Sequence, residues 1–299
     1  MKRTGFSLVE LIVVVAIAAV LLGLLLPAVR SAQLAGEDRQ TANNIKQLSL
    51  ANHSVNDVFR KLPPAFDKFG QLQYPVSVHV HLMPYIEEDN LYKTFVPEFK
   101  DEKGPKDGKD KPKAAKGDTK AKVKPFISPI DPSAVKKDKE GVQNLAGNLR
   151  VYADSGFKTK YTENMPALKA VEPGSASIPR TFQDGTSNTI AFVTKYGYCG
   201  EDGGSRYAAA PNTKYAAFFG QNAATKKADP ADPKATFQLN PDAKQCLSSP
   251  LIGQSFTKKG IQIGLFDGST RTVSPNVSAE TWNRAVHPND GNPLGKDWE

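Results

Sequence analysis

Cysteine, histidine and tryptophan are scarce in this chain: two, four and two in 299 residues. Cys199 and Cys246 lie too far apart for the CxxC spacing of a zinc or redox site. No HExxH, GxSxG elbow, GxxxxGK(S/T) or strand-linked GxGxxG occurs. Metalloprotease, α/β-hydrolase and nucleotide chemistry therefore lack their usual signatures, and a non-enzymatic protein is expected. A distributed basic face is also missing. The net charge is +8 and the pI about 9.2, but residues 100–124 hold ten lysines and five acids, so +5 of the +8 sits in one stretch. With almost nothing apolar it reads as a disordered, solvated insertion. No aromatic residue is interleaved for base stacking, so no nucleic-acid partner is expected.

What is present is a long apolar run with one acid in it. MKRTGFSLVELIVVVAIAAVLLGLLLPAVR places Lys2 and Arg3 ahead of Gly5, then 24 residues from Phe6 to Val29 whose only charge is Glu10. As a helix that stretch is about 36 Å long and crosses a bilayer. A carboxylate within it costs a few kcal/mol in hydrocarbon and marks function. If a peptidase cuts between Gly5 and Phe6, the new amine at Phe6 stands in i, i+4 relation to Glu10, and each charge neutralises the other within or between packed helices. A secretory signal peptide, cut among the small residues Ser31 to Ala35, would have a shorter apolar region and no acid. A plain membrane anchor is the other simple alternative.

The pattern resembles the type IV pilin and pseudopilin leader, a short basic segment ending in Gly, then Phe and a hydrophobic helix with Glu fifth after the cut. Gly5, Phe6 and Glu10 match it position for position. The resemblance implies that Gly5 is the prepilin peptidase site, that Phe6 is the N-methylated first residue, and that Glu10 sets register among subunits.

Beyond the run, helical periodicity continues past Pro27. Leu34, Ile45, Leu48, Val55 and Val58 form one apolar stripe until Pro63 and Pro64. The expected organisation is a leader at 1–5, a transmembrane and assembly helix at 6–29, its amphipathic continuation at 30–62, and a globular β-rich head at 63–299. The fold class is α+β, a long helix packed on a mostly antiparallel β head. Pro75 to Leu82 alternates, which predicts a half-buried strand with His79 and His81 facing solvent. Thr189 to Thr194 reads as a strand, and Ile261 to Ser274 as a hairpin with Asp267-Gly268 in a two-residue type I′ turn. Ser278 caps a short helix through Val286. If Cys199 and Cys246 pair, the bridge closes a loop of 47 residues and contributes roughly 4 kcal/mol in the chain-entropy picture.

A second resemblance covers most of the chain outside the lysine insertion and residues 208–241. TANNIKQL with Asn43, Asn44, Lys46 and Gln47, Pro63-Pro64, LMPYIEE (Leu82–Glu88), FISPIDP (Phe126–Pro132), NLAGN (Asn144–Asn148), FQDGTSNTI (Phe182–Ile190) and FDGSTRTVS (Phe266–Ser274) are similar to the successive signatures of the bacterial family called domain of unknown function 1559. The resemblance implies a pilin-like helix with a mostly antiparallel head. Where that family often has cysteines, this chain has Thr41 and Ser128, so a bridge of that type is absent.

Site candidates in the head are few. Asp184, Asp202 and Asp267 are acids in Gly-rich turns, where backbone capping is the ordinary role. The sharper alternative is a Ca²⁺ held by some of Asp184, Thr186, Asn188, Glu201 and Asp202, although the spacing matches no EF-hand; otherwise no cofactor is expected. The functional expectation is a pilin-like or pseudopilin-like protein, single-pass in the cytoplasmic membrane with its head on the periplasmic or extracellular side. Its partners would be prepilin peptidase and other pilin-like subunits, met through the N-terminal helix in a type IV pilus or a type II secretion-like filament. The alternative is a membrane-tethered extracytoplasmic binding module that does not polymerise.

Overall fold

The computed structural model describes residues 8–96, 117–133, 141–153, 176–200, 203–209, 215–220, 236–242, 245–246 and 251–298. The sequence begins as one helix, α1, Leu8–Phe59, with Pro27 inside it. Arg60 ends it with a left-handed backbone (φ 57°). Its second half carries Ile45, Leu48, Ala51 and Val55, all buried. Leu34 and Val58, expected on the same stripe, are 51% and 63% exposed. The stripe is completed instead by Thr41, Asn44, Ser49, Asn52 and Asn56.

The head follows. Strands β1 (Phe66–Phe69) and β2 (Leu72–Ser77) form a hairpin, followed by α2 (Val78–Leu82), a 3₁₀ turn (Met83–Tyr85) and α3 (Asp89–Lys93). Strands β3 (Leu145–Asn148) and β4 (Ile190–Thr194) flank the one-turn α4 (Leu149–Tyr152). Next come β5 (Tyr198–Cys199), β6 (Gly203–Gly204), β7 (Phe218–Phe219), β8 (Gln238–Leu239), β9 (Gln254–Ser255), β10 (Ile261–Leu265), β11 (Thr270–Val273) and α5 (Ala279–Val286). The central sheet runs β11-β10-β4-β3-β7, antiparallel except for the β3–β7 pair. Neighbouring residues of its strands face opposite cores. Leu145, Phe192 and Phe218 join the cluster beneath α1, whereas Ala146, Val193 and Phe219 join the one beneath α5 with Trp282 and Val286. β4 is buried along its whole length because both faces are covered.

Three sequence expectations change. Residues 78–82 form a helix rather than the end of a strand: the Ser77 hydroxyl accepts from His79 N at 3.2 Å and caps it. His79 and His81 are buried, not solvent-facing. The β10–β11 turn has three residues, Phe266 to Gly268. Leu265 N donates to Ser269 O, Gly268 N donates to Leu265 O, and only Gly268 (φ +87°) takes the left-handed conformation, which fits a type I turn with a bulge rather than type I′. Most of the lysine-rich stretch lies outside the described residues, but its end, 117–124, is docked. Val123 is fully buried, and Thr119 O accepts from Gly141 N.

Candidate functional site

The first candidate surface is the N-terminal half of α1. From Leu8 to Val29 its large apolar side chains are 50–73% exposed, and none of its most apolar window is covered by the head. Glu10 lies in the first turn and is exposed. Gly5 and Phe6 lie outside the described residues. A contiguous apolar surface of this extent marks a membrane or a protein partner.

The second half of α1 is locked to the head by polar groups placed on its apolar stripe. Thr41 Oγ1 donates to Glu37 O, so at 2.8 Å Ser128 Oγ donates to Thr41 Oγ1. Asn44 Nδ2 donates to Ile127 O at 2.8 Å. Asn52 Oδ1 accepts from Tyr152 Oη at 2.9 Å. Asn56 makes a reciprocal pair with the backbone N and O of Ile178, and His53 Nε2 donates to Phe266 O. Each bond pairs a polar group of the helix with one of the head, so the latch fixes both rotation and height of the head on the helix. The helical spacing of Asn44, Asn52 and Asn56 was the available sequence signal.

The family-like motif residues in the head also serve the backbone. Asp131 accepts from Asn144 Nδ2 (2.6 Å), Gly197 N (2.9 Å) and Ser133, joining three loops; burial raises its carboxyl pKa while those bonds lower it. Asn148 caps α4 and donates to Ile190 O and Val286 O. Asp184, a calcium candidate, spends its carboxylate oxygens on Asp290 N (2.7 Å) and Gly291 N (2.8 Å), while Asn188 Nδ2 donates to Asp184 O. Glu201 and Asp202 lie outside the described residues. Among the described residues no group of three or more His, Cys, Asp or Glu is placed to hold a metal. Cys199 and Cys246 form a disulfide with Cα atoms 5.5 Å apart, tying β5 to the segment before β9.

Sequence reasoning missed the buried bases. Lys195 Nζ donates to Ala216 O at 2.5 Å and Phe218 O at 3.3 Å, and burial lowers its pKa to about 7. Nothing local in FVTKYG distinguishes it from a surface lysine. His79 is held by Ser77 Oγ at Nδ1 (3.0 Å) and by Gln143 Nε2 at its Nε2 (2.9 Å), with Gln143 also donating to Leu145 O. The tautomer protonated on Nδ1 lets each of these donors find an acceptor. Burial lowers the pKa of His79 to about 3 and of His81 to about 4.

These two shifts predict acid sensitivity. Both imidazoles are neutral in the fold and titrate near 6.5 when unfolded, so their stabilisation is complete above pH 6.5 and is lost as pH falls toward 4. The loss is about 1.4 kcal/mol per histidine per pH unit. Asp131, with its raised pKa, runs the other way. Urea melts between pH 7 and 4.5 should show stability falling with acid, and a His79→Gln variant should flatten part of that slope; a flat wild-type profile contradicts the burial.

Comparison with known families agrees with this layout. A model described as Prokaryotic N-terminal methylation motif matches residues 1–26, and one described as Protein of unknown function (DUF1559) matches residues 38–280. No curated protein and no solved structure matches the chain. The first match covers the leader and most of the apolar run, making this a type IV pilin-like protein of the kind processed by prepilin peptidase. The second takes in the latch, the sheet and the start of α5, and the chain belongs to the DUF1559 family.

Proposed function

We propose that this protein is a non-enzymatic, pilin-like or pseudopilin-like envelope subunit. It is cut after Gly5, methylated at Phe6 and held in the cytoplasmic membrane with its head outside the cytoplasm. From there it is drawn into a type IV pilus or type II secretion-like filament. The observation that carries this reading is the division of α1. One continuous helix has an uncovered apolar half bearing Glu10 and a second half fastened to the head by hydrogen bonds. In a bilayer the uncovered half is solvated by lipid. On assembly it packs against identical helices, where van der Waals contact replaces lipid contact. The methylation motif at residues 1–26 supports the processing step.

The test is the N-terminus of mature protein recovered from membranes. Peptide sequencing and intact mass should place the first residue at Phe6 with one added methyl group. A chain beginning at Met1, or near residue 36 as a signal peptidase would leave it, removes the proposal. The tethered binding module is separated from the filament subunit by crosslinking through the first helix, because a polymerising subunit gives ladders of identical partners.

A further inference from the structure

Three contacts give β10 a direction beside α1. Gln262 Nε2 donates to Asp38 O at 3.2 Å, Gly264 lies against Ile45 and Ser49, and Phe266 O accepts from His53. Both elements therefore run the same way, and the chain before β10 points back toward the apolar half of the helix. Asp38 stands nine residues past Val29, about 13 Å along the axis. Lys259 precedes Gln262 by three residues, about 10 Å at full extension. The turn at 257–260 thus lies within about 8 Å, the Debye length of physiological salt, of the level at which the apolar run stops.

That turn is a firm mount for two cations. Ser255 Oγ accepts from Thr257 N at 3.1 Å, and Thr257 Oγ1 accepts from Lys259 N at 3.3 Å. Gly260 (φ +140°) packs so closely on β11 that a Cβ there would come within 2.1 Å of Val273 O. Lys258 and Lys259 are both exposed. Ser274, Pro275 and Asn276, which follow β11 at the same end of the sheet, are exposed and uncharged. Arg30, exposed directly after Val29, stands eleven residues and about three turns before Thr41, hence on the side of α1 that carries the head. Among the described residues no ion pair occupies Arg30, Lys258 or Lys259. The acids nearby in the fold are partly covered or engaged. Glu37 and Asp38 are half-buried, Asp38 accepts from Gln262, and Asp297 accepts from Ser278 N and Thr281 Oγ1. The result is a cationic edge directed at the plane in which the helix leaves the bilayer.

We propose that residues 257–260 form a foot that stands on the head-side surface of the membrane, where Lys258, Lys259 and Arg30 contact the phosphates of anionic phospholipids. A lysine close to an anionic surface strengthens attachment about fivefold, so the two lysines and Arg30 together hold one edge of the head down and fix its orientation over the lipid. The contact exists only while the apolar run is in the bilayer, and it therefore favours the membrane-held form. The inference rests on the membrane placement given under the proposed function, not on filament assembly.

The test uses the full chain in nanodiscs of phosphatidylcholine, alone or mixed with phosphatidylglycerol, and reads the acylation rate of each lysine by mass spectrometry. Lys258 and Lys259 should react at least about fivefold more slowly in the anionic discs, and about 1 M salt should abolish the difference. Lys46, exposed and about 24 Å past Arg30 along α1, should react equally in both. In a second readout, electron paramagnetic resonance of spin-labelled lipids should show a preference for phosphatidylglycerol over phosphatidylcholine beside the protein. The Lys258→Gln/Lys259→Gln variant should lower that preference at least about threefold, with Lys46→Gln unchanged. Equal rates at Lys258 and Lys259 in the two kinds of disc overturn the proposal. So does equal slowing at Lys46, which would report only a general surface potential, and so does an undiminished lipid preference in the double variant. Slowing by free glycerol phosphate in phosphatidylcholine discs, as strong as that by phosphatidylglycerol, would assign the lysines to a soluble anion and also overturns it. A chain that fails to enter the discs removes the membrane reading itself, whereas a chain that enters with indifferent lysines removes only the foot.

Discussion

Replacing Gly264 by valine is expected to destabilise the head by about 3 kcal/mol. Gly264 lies in β10 opposite α1. A Cβ built there would sit 2.3 Å from Ile45 Cγ2 and 2.6 Å from Ser49 Oγ, both on buried residues of the helix. Neither contact can relax cheaply. Ile45 is β-branched and fully buried, and moving the helix away would stretch the polar bonds from Asn44 and Asn52 to the head. Even alanine should cost about 2 kcal/mol, because the first added atom makes the clash. Gly36→Ala is the internal control. Its Cβ meets nothing within 4 Å, so at an interior helical position it should be neutral or stabilise by about 0.5–1 kcal/mol. Urea unfolding of the full chain in nanodiscs checks all three. A Gly264→Val variant within about 0.5 kcal/mol of the parent contradicts the close approach of helix and sheet.

That contact was not legible in the sequence, and the reason is general. Periodicity and capping are local, so α1, β4, the β10–β11 hairpin and the Ser278-capped α5 could be read from neighbouring residues. Packing partners are not local. Gly264 looked like an ordinary strand residue, and only its placement opposite Ile45 explains why it lacks a side chain. The alternation from Val76 to Leu82 misled for the same reason. It implies a polar face at His79 and His81, but Gln143 and Asp67, distant in sequence, supply hydrogen bonds that let both imidazoles be buried. Once those partners exist, the Ser77 cap is free to turn the chain into helix. The parallel β3–β7 pair and the two-residue strands depended likewise on long-range register. In the candidate site, the leader residues were legible because their chemistry is concentrated in a few adjacent positions. The function of the asparagine latch was not legible, since its partners, Ile127, Tyr152 and Ile178, lie more than 80 residues away in sequence.

Glu10→Ala is expected to leave the cut after Gly5 intact and to reduce incorporation into filaments at least about tenfold. The cut lies upstream of the acid, and alanine preserves helix and hydrophobicity, so insertion and processing have no reason to fail. Incorporation differs. Within a pack of otherwise apolar helices many sliding registers give similar van der Waals contact. A carboxylate favours the arrangement that brings it to an amine and penalises those leaving it unpaired in hydrocarbon, by a few kcal/mol. Tenfold corresponds to about 1.4 kcal/mol, well inside that penalty. Glu10→Gln separates charge from polarity: if pairing with the Phe6 amine is the cause, glutamine should behave like alanine, since it keeps hydrogen bonding but offers no charge. The measurement is crosslinking through a cysteine placed at exposed Leu21, in parent and variant backgrounds, with mature mass recorded on the same samples. Ladders of equal length and intensity in Glu10→Ala would show that another feature of the helix sets the register. Full processing with shortened ladders would place the function of this residue after the cut, at the step where one helix selects the height of the next.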